Sequence, residues 1–463
     1  MGLASTHPPR THRRSGARFV LALVAACGTT AAGAGAGVLI HGTRFSGAPG
    51  GTPRTPGATA LVAMRAPAAA ALPALVPVVP MTAIGASIPV EPEKKAPRAQ
   101  CPQLAAVDPP WLVVGPPAPA SADLPQSPKS LERRIALWLK VWGERGDNQH
   151  LLVDDRRPWI VHGEVDCRDL FPEGTAPDDA NAKGVCGGRI TQARKAAQLK
   201  LKREWHWPSV LRSYDRDRSL ARTATDHIIA IQGRKDALDR ARSRAQPHLG
   251  IAEGLFANAD VPRIYARAAI VESLWRPEAL SRSGAAGAYQ FMPKTGRQFL
   301  TVEDGIVDER LDPLRASWAA ATYMSKMEKE LGDWSLVLTA YNTGPARLKK
   351  VMKARRTRDL GRIADAGDFG EFGFDGQNYY AQIVAIGRLT VRDRFEPKPV
   401  TGRAVKLESA LPFAQLAACV DTPKDALAES NPALADAVIA GEKPVPAGYV
   451  AHVPSVALTT ASR

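Results

Sequence analysis

The sequence predicts a mainly α-helical protein, and three observations support this fold class. Apolar residues recur at spacings of three and four along several stretches, which is the periodicity of one helix face. Asp312 and Asp333 each precede such a stretch, where a short acceptor side chain caps a helix. Residues 43–128 show no helical or strand periodicity, so the folded part is expected after them. A chain of 463 residues is long enough for more than one folding unit.

Residues 1–42 have the composition of an export signal. An apolar run, Phe19 to Ala26, follows four arginines, namely Arg10, Arg13, Arg14 and Arg18. The next residue, Cys27, ends a sequence similar to a bacterial lipobox and would be acylated after cleavage. Two alternatives stay open: cleavage in the later Ala/Gly-rich part, or retention of Phe19 to Ile40 as a membrane anchor. Each alternative predicts an exported protein.

Residues 43–128 form a predicted linker, and residues 129–248 a predicted helical region with a hairpin. The linker is rich in Pro, Ala and Gly, which favours an extended, disordered tether. In the following region, spacings of four, four and three place four apolar residues on one side of a helix over 130–143, namely Leu131, Ile135, Leu139 and Trp142. A hairpin is predicted over 151–165, and further helices over 189–203 and 219–244.

The charge of the chain indicates acidic partners. The formal net charge is +15 and the isoelectric point is about 9.7, which favours cell-wall polymers, anionic lipid or nucleic acid. The sequence has no nucleic-acid-binding motif, and few aromatic residues lie among the basic ones, so no nucleic acid is expected. A generally basic, solvated surface is the alternative.

The cysteines agree with export. Four remain after Cys27, and an even count is typical of disulfides in an oxidising compartment. Cys167 and Cys186 are close in sequence and are expected to pair, which leaves Cys101 for Cys419. Buried free thiols are the alternative. No histidine clusters with these cysteines in the sequence, so no metal site is predicted, and no motif implies a cofactor.

The stretch Ile264 to Thr295 contains the candidate catalytic carboxylate, Glu272. A helical stripe formed by Ile264, Ala268, Val271 and Trp275 lies one position away from it, so Glu272 would border the core. Such a setting destabilises the charged form and raises the pKa of the carboxyl group. Glycosidases prepare a general acid in this way. An ordinary paired helix glutamate is the alternative.

The surroundings of Glu272 resemble a known enzyme family. Glu272-Ser273, then Ser281, the Gly-Ala-Ala-Gly of 284–287 and Tyr-Gln-Phe-Met-Pro of 289–293 are similar to the first signature of lytic transglycosylases with a goose-lysozyme-like (SLT) domain. Ala-Tyr-Asn-Thr-Gly at 340–344 is similar to the second signature. Residues 308–310 and 317–323 resemble the segment between them. The likeness is greatest to the membrane-bound D-type branch and implies a lysozyme-like helical catalytic domain over 249–400.

The resemblance implies a lytic transglycosylase that cleaves the β-1,4 bond between N-acetylmuramic acid and N-acetylglucosamine and leaves 1,6-anhydromuramoyl ends. Glu272 would act first as acid and then as base, and substrate contacts would come from Ser281, Gln290, Met292, Tyr341, Asn342 and Tyr379. Asp375 stands where soluble relatives have a glutamate. The implied partner is the peptidoglycan strand, and the implied state is a monomer in the periplasm, associated with a membrane through its N-terminus. No cofactor or metal is implied.

Two other functions stay open. A goose-type muramidase would use water and a second carboxylate, for which Asp308, Asp312 and Asp375 are candidates. A non-catalytic scaffold that binds the cell wall is the other, although the intact Glu272 argues against it. The last unit, residues 401–463, resembles a degenerate LysM module that lacks the usual Gly-Asp-Thr-Leu entry.

Overall fold

The computed structural model describes residues 101, 104–112, 126–171, 179–366, 373–391, 393 and 401–455. The predicted export signal with Cys27 and most of the predicted linker lie outside these residues. Helices predominate in the described part of the chain, which confirms the mainly α fold class. None of the described helices is both long enough and apolar enough to cross a membrane.

The strands and helices alternate irregularly along the described residues. The strands are β1 (Leu104–Val107), β2 (Gln149–Asp154), β3 (Val161–Asp166), β4 (Ile228–Gln232), β5 (Val302–Glu303), β6 (Val307–Asp308), β7 (Gly402–Leu407) and β8 (Val450–Pro454). The helices are α1 (Glu132–Gly143), α2 (Asp179–Glu204), α3 (Pro208–Ser213), α4 (Arg218–Thr223), α5 (Lys235–Ala245), α6 (Leu249–Asn258), α7 (Ala268–Ser273), α8 (Pro293–Gly296), α9 (Pro313–Leu331), α10 (Trp334–Thr343), α11 (Pro345–Arg355), α12 (Leu360–Asp365), α13 (Gly373–Thr390), α14 (Phe413–Cys419), α15 (Lys424–Glu429) and α16 (Asp436–Ile439).

The N-terminal region contains a three-stranded antiparallel sheet in the order β3-β2-β4. The hairpin predicted over 151–165 corresponds to β2 and β3. The helix predicted over 219–244 is wrong, because Ile228–Gln232 in its middle is a strand that pairs with β2. Five residues of this buried Ile-rich run are too few for periodicity to distinguish a strand from a helix.

The largest core joins this region to the predicted catalytic domain. Helices α6, α7, α9, α10 and α13 surround Tyr265 and Trp275, and α1 packs Trp138 against the same core. Both predicted helix caps are present: the Asp312 carboxylate accepts from the backbone of Leu314 and Arg315, and Asp333 caps α10 in the same manner. The two caps fix where the long helices of the core begin.

The C-terminal unit is larger than the sequence indicated. Strand β7 lies between β8 and β1, and β1 falls inside the predicted linker 43–128, so this part of that prediction is wrong. The short run Leu-Ala-Ala-Val is hidden in an Ala/Pro-rich composition and becomes a strand only by pairing with β7. Cys101 and Cys419 are joined as a disulfide, with a Cα–Cα distance of 5.5 Å.

The C-terminal unit also packs on the catalytic domain. The buried guanidinium of Arg315 at the start of α9 stacks 4.3 Å from the ring centroid of Trp111 and 4.9 Å from that of Tyr449. Its Nη2 donates to the backbone oxygen of Val450 in β8, and Val307 of β6 is buried in the C-terminal core. This unit is therefore joined to α9 and β6 by shared packing rather than by a free linker.

Candidate active site

The candidate acid Glu272 lies on a short helix in the centre of the core. Every side chain of α7 is buried, and Glu272 is 5% exposed. A 3-10 turn, Arg263–Arg267, precedes α7, and Pro262 occupies its cap position. Leu274, with φ of 56°, ends the helix in the left-handed region. Glu272 therefore belongs to a short helix that is buried along its whole length.

Burial controls the protonation of Glu272. Loss of solvation raises the pKa of this carboxyl group to about 8, and the nearby charge of Asp375 acts in the same direction. The hydroxyl of Tyr379 on α13 donates to Glu272 Oε1 at 2.6 Å and opposes this shift, because it stabilises the carboxylate. The carboxyl group is consequently protonated at neutral pH and has one positioned donor ready for its charged form.

The loop after α7 is held by its own polar groups. Ser281 Oγ accepts from the backbone N–H of Ala285 at 2.8 Å, and Gln290 Nε2 donates to the backbone oxygen of Gly287 at 3.0 Å. Gly287 has φ of +80°, and a Cβ there would stand 1.7 Å from the backbone oxygen of Arg310. Gly287 is therefore required for the close contact with the backbone at Arg310.

Arg310 is a site residue whose function the sequence did not reveal. Its Nη1 donates to the backbone oxygens of Gly284 and Phe291, at 2.8 and 2.9 Å, and so ties the two ends of the loop together. Asp308 orients the guanidinium through contacts of 2.8 and 2.7 Å. The family-like Asp-Glu-Arg segment of 308–310 was the available signal, but it carried no indication of these partners.

Tyr341 belongs to a cluster of aromatic side chains and lies close to Glu272. The Tyr341 hydroxyl donates to the backbone oxygen of Tyr289 at 2.9 Å, and the Tyr341 ring lies 6.0 Å from Phe291 and 5.8 Å from Tyr323. Burial and the charge of Glu272 raise the pKa of Tyr341, as they do for Tyr379. Both hydroxyls therefore remain protonated donors close to the carboxyl group.

Asn342 and Met292 lie at helix ends near these aromatic residues. Asn342 belongs to the last turn of α10 and is half-buried, and its side chain makes no hydrogen bond with any described residue. Met292 is the cap residue of α8 and is also half-buried. The Asn342 amide is thus available to a ligand, unlike the amide of Gln290.

The three alternative carboxylates differ in their surroundings. Asp308 is paired with Arg310, and Asp312 caps α9 while its Oδ2 accepts from Arg315 at 3.1 Å. Asp375 has no such partner among the described residues, and burial raises its pKa to about 6. Of the three, only the charge of Asp375 raises the pKa of Glu272. Asp375 is therefore the candidate second carboxylate that remains.

A buried arginine connects the site to the N-terminal region. Asn378, adjacent to Tyr379 on α13, accepts at its Oδ1 from Arg134 Nη1 and from Trp138 Nε1, both at 3.2 Å. Arg134 is completely buried and also donates to the backbone oxygen of Ala364 at 3.1 Å. Helix α1 thereby fixes the rotation of α13, which carries Tyr379. No local sequence pattern could have shown this long-range contact.

The predicted pair Cys167 and Cys186 is joined in the structure, with a Cα–Cα distance of 5.9 Å. His150 Nδ1 lies 3.9 Å from Cys186 Sγ, so the expectation that no histidine accompanies these cysteines is wrong. Strand β2 brings His150 to them although it is distant in sequence. A metal would need deprotonated thiolates, which the two sulfurs do not offer while they are bonded to each other.

Comparison with known proteins identifies the segment that contains Glu272. Residues 255–361 match the family model "Transglycosylase SLT domain", so this segment is an SLT domain, as its motifs indicated. Over 116 residues the chain is 34% identical to the membrane-bound lytic murein transglycosylase D of Escherichia coli strain K12, and equally to the protein of the same name in strain O6:H1. The match covers 25% of this chain and 26% of each relative, so the chain spans about a quarter of the length of these relatives.

One solved structure is also similar, an inactive mutant of the lytic transglycosylase Slt from Pseudomonas aeruginosa. It is 18% identical, with a TM-score of 0.25, over 48% of this chain and 34% of that one. A similarity this low adds nothing to the assignment of the SLT domain, which rests on the family model and the D-type relatives.

Proposed function

We propose that this protein is a peptidoglycan lytic transglycosylase and that Glu272 is its catalytic acid and base. The observation that carries the proposal is the buried carboxyl group of Glu272, whose pKa is about 8, with Tyr379 Oη at 2.6 Å. An acid that is protonated at neutral pH can donate to a leaving oxygen. The names of the D-type relatives supply the substrate class, murein.

The reaction needs one carboxyl group in two roles. Glu272 gives its proton to the glycosidic oxygen as the bond from C1 of N-acetylmuramic acid to that oxygen breaks. The carboxylate then takes the proton of the C6 hydroxyl of the same sugar, while O6 bonds to C1 and closes the 1,6-anhydro ring. Glu272 ends protonated and no water is consumed. Tyr379 stabilises the transient carboxylate, and the 2-acetamido group of the sugar can assist at C1.

The remaining candidate residues have supporting roles in this proposal. Asn342 would contact the glycan with its unpartnered amide, and Met292 and Tyr341 would line the sugar subsite. Ser281 would contact the acetamido group or orient Glu272 while its Oγ also accepts from Ala285. Gln290 would line the subsite mainly by shaping the loop, because its Nε2 already donates to two backbone oxygens.

A muramidase is the second candidate, and Asp375 is the observation that favours it. A hydrolase of the inverting type needs a carboxylate to activate water. Asp375 is close enough for its charge to raise the pKa of Glu272, and its own pKa of about 6 leaves most of it ionised at neutral pH, as a base requires. The chemical structure of the released sugar end therefore distinguishes the two reactions.

The test is digestion of purified sacculi in oxygen-18 water, followed by mass spectrometry of the muropeptides. Anhydro ends without the heavy isotope are expected, and Glu272→Gln should produce none while remaining folded. Labelled reducing ends as the main product, lost in Asp375→Asn, would convert the assignment to a muramidase. Wild-type protein that binds sacculi but releases no product of either kind would support the scaffold instead.

The cellular setting is also part of the proposal. We infer a monomeric periplasmic protein that is held at a membrane by its N-terminus, through a lipid on Cys27 or through the apolar run itself. Incorporation of labelled palmitate that is lost in Cys27→Ser would support lipidation, and an unlabelled wild type would refute it. The likeness of residues 401–463 to a LysM module also stays a prediction, which retention on insoluble chitin oligomers can test.

A further inference from the structure

The outer surface of α2 carries exposed cations together with exposed apolar side chains. Lys195 lies four residues before Leu199, and Lys202 and Arg203 lie three and four residues after it, so all four share one side of the helix. Trp207 lies three residues beyond Glu204, the last residue of α2, and is the cap residue of α3. Leu199 is 61% exposed and Trp207 is 47% exposed, and they are two of the six exposed large apolar residues in the described part of the chain. These five residues are called the cationic face below.

The opposite side of α2 packs on the N-terminal sheet, so the cationic face is directed toward solvent. Ala197 and Leu201 are buried against the N-terminal sheet, in the core that also contains Leu152 and Ile228. Gln198 Nε2 donates to the backbone oxygen of Thr225 at 2.9 Å and fixes the helix further. The exposure of Leu199 is consequently a property of a packed helix whose inner side is already occupied.

The charges of the cationic face are uncompensated. No acidic side chain in the described part of the chain pairs with Lys195, Lys202 or Arg203, whereas Arg189 on the same helix pairs with Asp169 at 2.6 Å. Between residues 185 and 207 the single acidic residue, Glu204, stands among six basic ones, namely Arg189, Arg194, Lys195, Lys200, Lys202 and Arg203. Lys195, Lys202 and Arg203 therefore face solvent without an acidic partner among the described residues.

We propose that the cationic face docks on an anionic phospholipid surface. Basic residues that flank exposed apolar and indole side chains are the composition of a helix lying in a membrane interface. Each Lys or Arg near an anionic leaflet strengthens binding about fivefold, and Leu199 and Trp207 add apolar area that enters the headgroup region. An anionic wall polymer would pair with the cations but would leave Leu199 and Trp207 in water, so the apolar residues decide between the two.

This inference goes beyond the catalytic assignment and does not depend on it. It is also separate from any anchor within the first 42 residues, because it concerns a packed surface of the folded part. Docking through α2 would set the side of the N-terminal sheet against the lipid. The sheet is coupled to α13 through α1, so docking would also hold the SLT domain in one orientation relative to the membrane.

The experiment uses the full chain and phosphatidylcholine vesicles, with and without phosphatidylglycerol. Brominated lipids quench tryptophan fluorescence only by contact, so the quenching of wild type minus that of Trp207→Phe reports on Trp207. A Trp207-specific quenching is expected in anionic vesicles and not in neutral ones. Residues 1–100 are identical in both proteins, so quenching that results from binding through them is the same in both and cancels in the difference. Equal quenching of the two proteins in anionic vesicles would overturn the proposal.

Charge-neutralised variants locate the binding. The triple variant Lys195→Gln/Lys202→Gln/Arg203→Gln removes three contributions of about fivefold, so the docking equilibrium should weaken roughly a hundredfold and the Trp207-specific quenching should disappear. Leu199→Gln should reduce the quenching without changing the charge.

A matched control removes the same charge from the C-terminal unit. The variant Arg403→Gln/Lys406→Gln/Lys424→Gln changes three exposed cations there and should keep the quenching of wild type. Loss of the quenching in this control as well would show a non-local effect of net charge and would overturn the proposal. Retention on purified sacculi that depends on α2, without any quenching by lipid, would also overturn the proposal, because it would assign the cationic face to a wall polymer.

Discussion

Replacement of Tyr379 by Phe tests whether its hydrogen bond sets the working pH of Glu272. The hydroxyl donates to Glu272 Oε1 at 2.6 Å and stabilises the carboxylate. A hydrogen bond to a charged group contributes about 1.5–3 kcal/mol, and one pKa unit corresponds to about 1.4 kcal/mol. Without the donor the charged form loses this stabilisation. The pKa of Glu272 should therefore rise from about 8 by roughly one to two units.

The assay is the pH dependence of kcat/KM on solubilised glycan strands. Activity of the wild type should fall as the pH rises through about 8, because Glu272 must be protonated to donate. In Tyr379→Phe this alkaline limb should move to higher pH, while the maximal rate falls because the carboxylate intermediate is less stable. Tyr214→Phe is the matched control, since it removes a donor 2.9 Å from the buried Asp154 carboxylate, away from the SLT domain. An unchanged alkaline limb in Tyr379→Phe would refute the reasoning.

Four further outcomes are expected. The pKa of Glu272 is about 8 in the folded protein and about 4.5 for a solvated carboxyl group, as in the unfolded chain. The wild type should therefore lose stability relative to Glu272→Gln as the pH rises from 4.5 to 8, by a few kcal/mol in denaturant titrations. A pH-independent difference would contradict this. Arg134→Met should lower the melting temperature and also move the alkaline limb upward, whereas a purely structural role would leave that limb in place. Gly287→Ala should destabilise by more than about 1 kcal/mol in thermal melts, since its φ is +80° and its Cβ would meet the Arg310 backbone. Non-reducing peptide mapping should recover Cys167 linked to Cys186, and its removal should cost roughly 3 kcal/mol; two alkylated thiols would exclude the bond.

Local patterns predicted where two long helices begin and that Glu272 lies at the edge of the core. Asp312 and Asp333 predicted the starts of α9 and α10, because a helix cap depends on a few adjacent residues. The apolar stripe beside Glu272 indicated that it borders the core, and the structure buries it further. In these cases the sequence contains the whole physical cause within one or two turns.

Features that depend on distant partners were not predictable in the same way. Ile228–Gln232 becomes a strand because it pairs with the edge of β2. Leu104–Val107 becomes a strand because it pairs with β7, although Leu104 and its partner Leu407 are far apart in sequence. The functions of Arg310 and Arg134 follow from the backbone oxygens that the fold brings to them. A short apolar run or a single arginine has no periodicity from which such a contact could be inferred.

The disulfide between Cys101 and Cys419 has a consequence for cleavage by proteases. It closes a covalent ring with a sequence separation of 318 residues, and the whole SLT domain lies inside that ring. One cut of the backbone anywhere between the two cysteines would leave both fragments connected through sulfur. The SLT domain would stay attached to the first hundred residues until the disulfide is reduced or a second cut is made. A single cut can therefore release this domain from an N-terminal attachment only if it falls before Cys101, whereas a cut inside the ring requires a second chemical event.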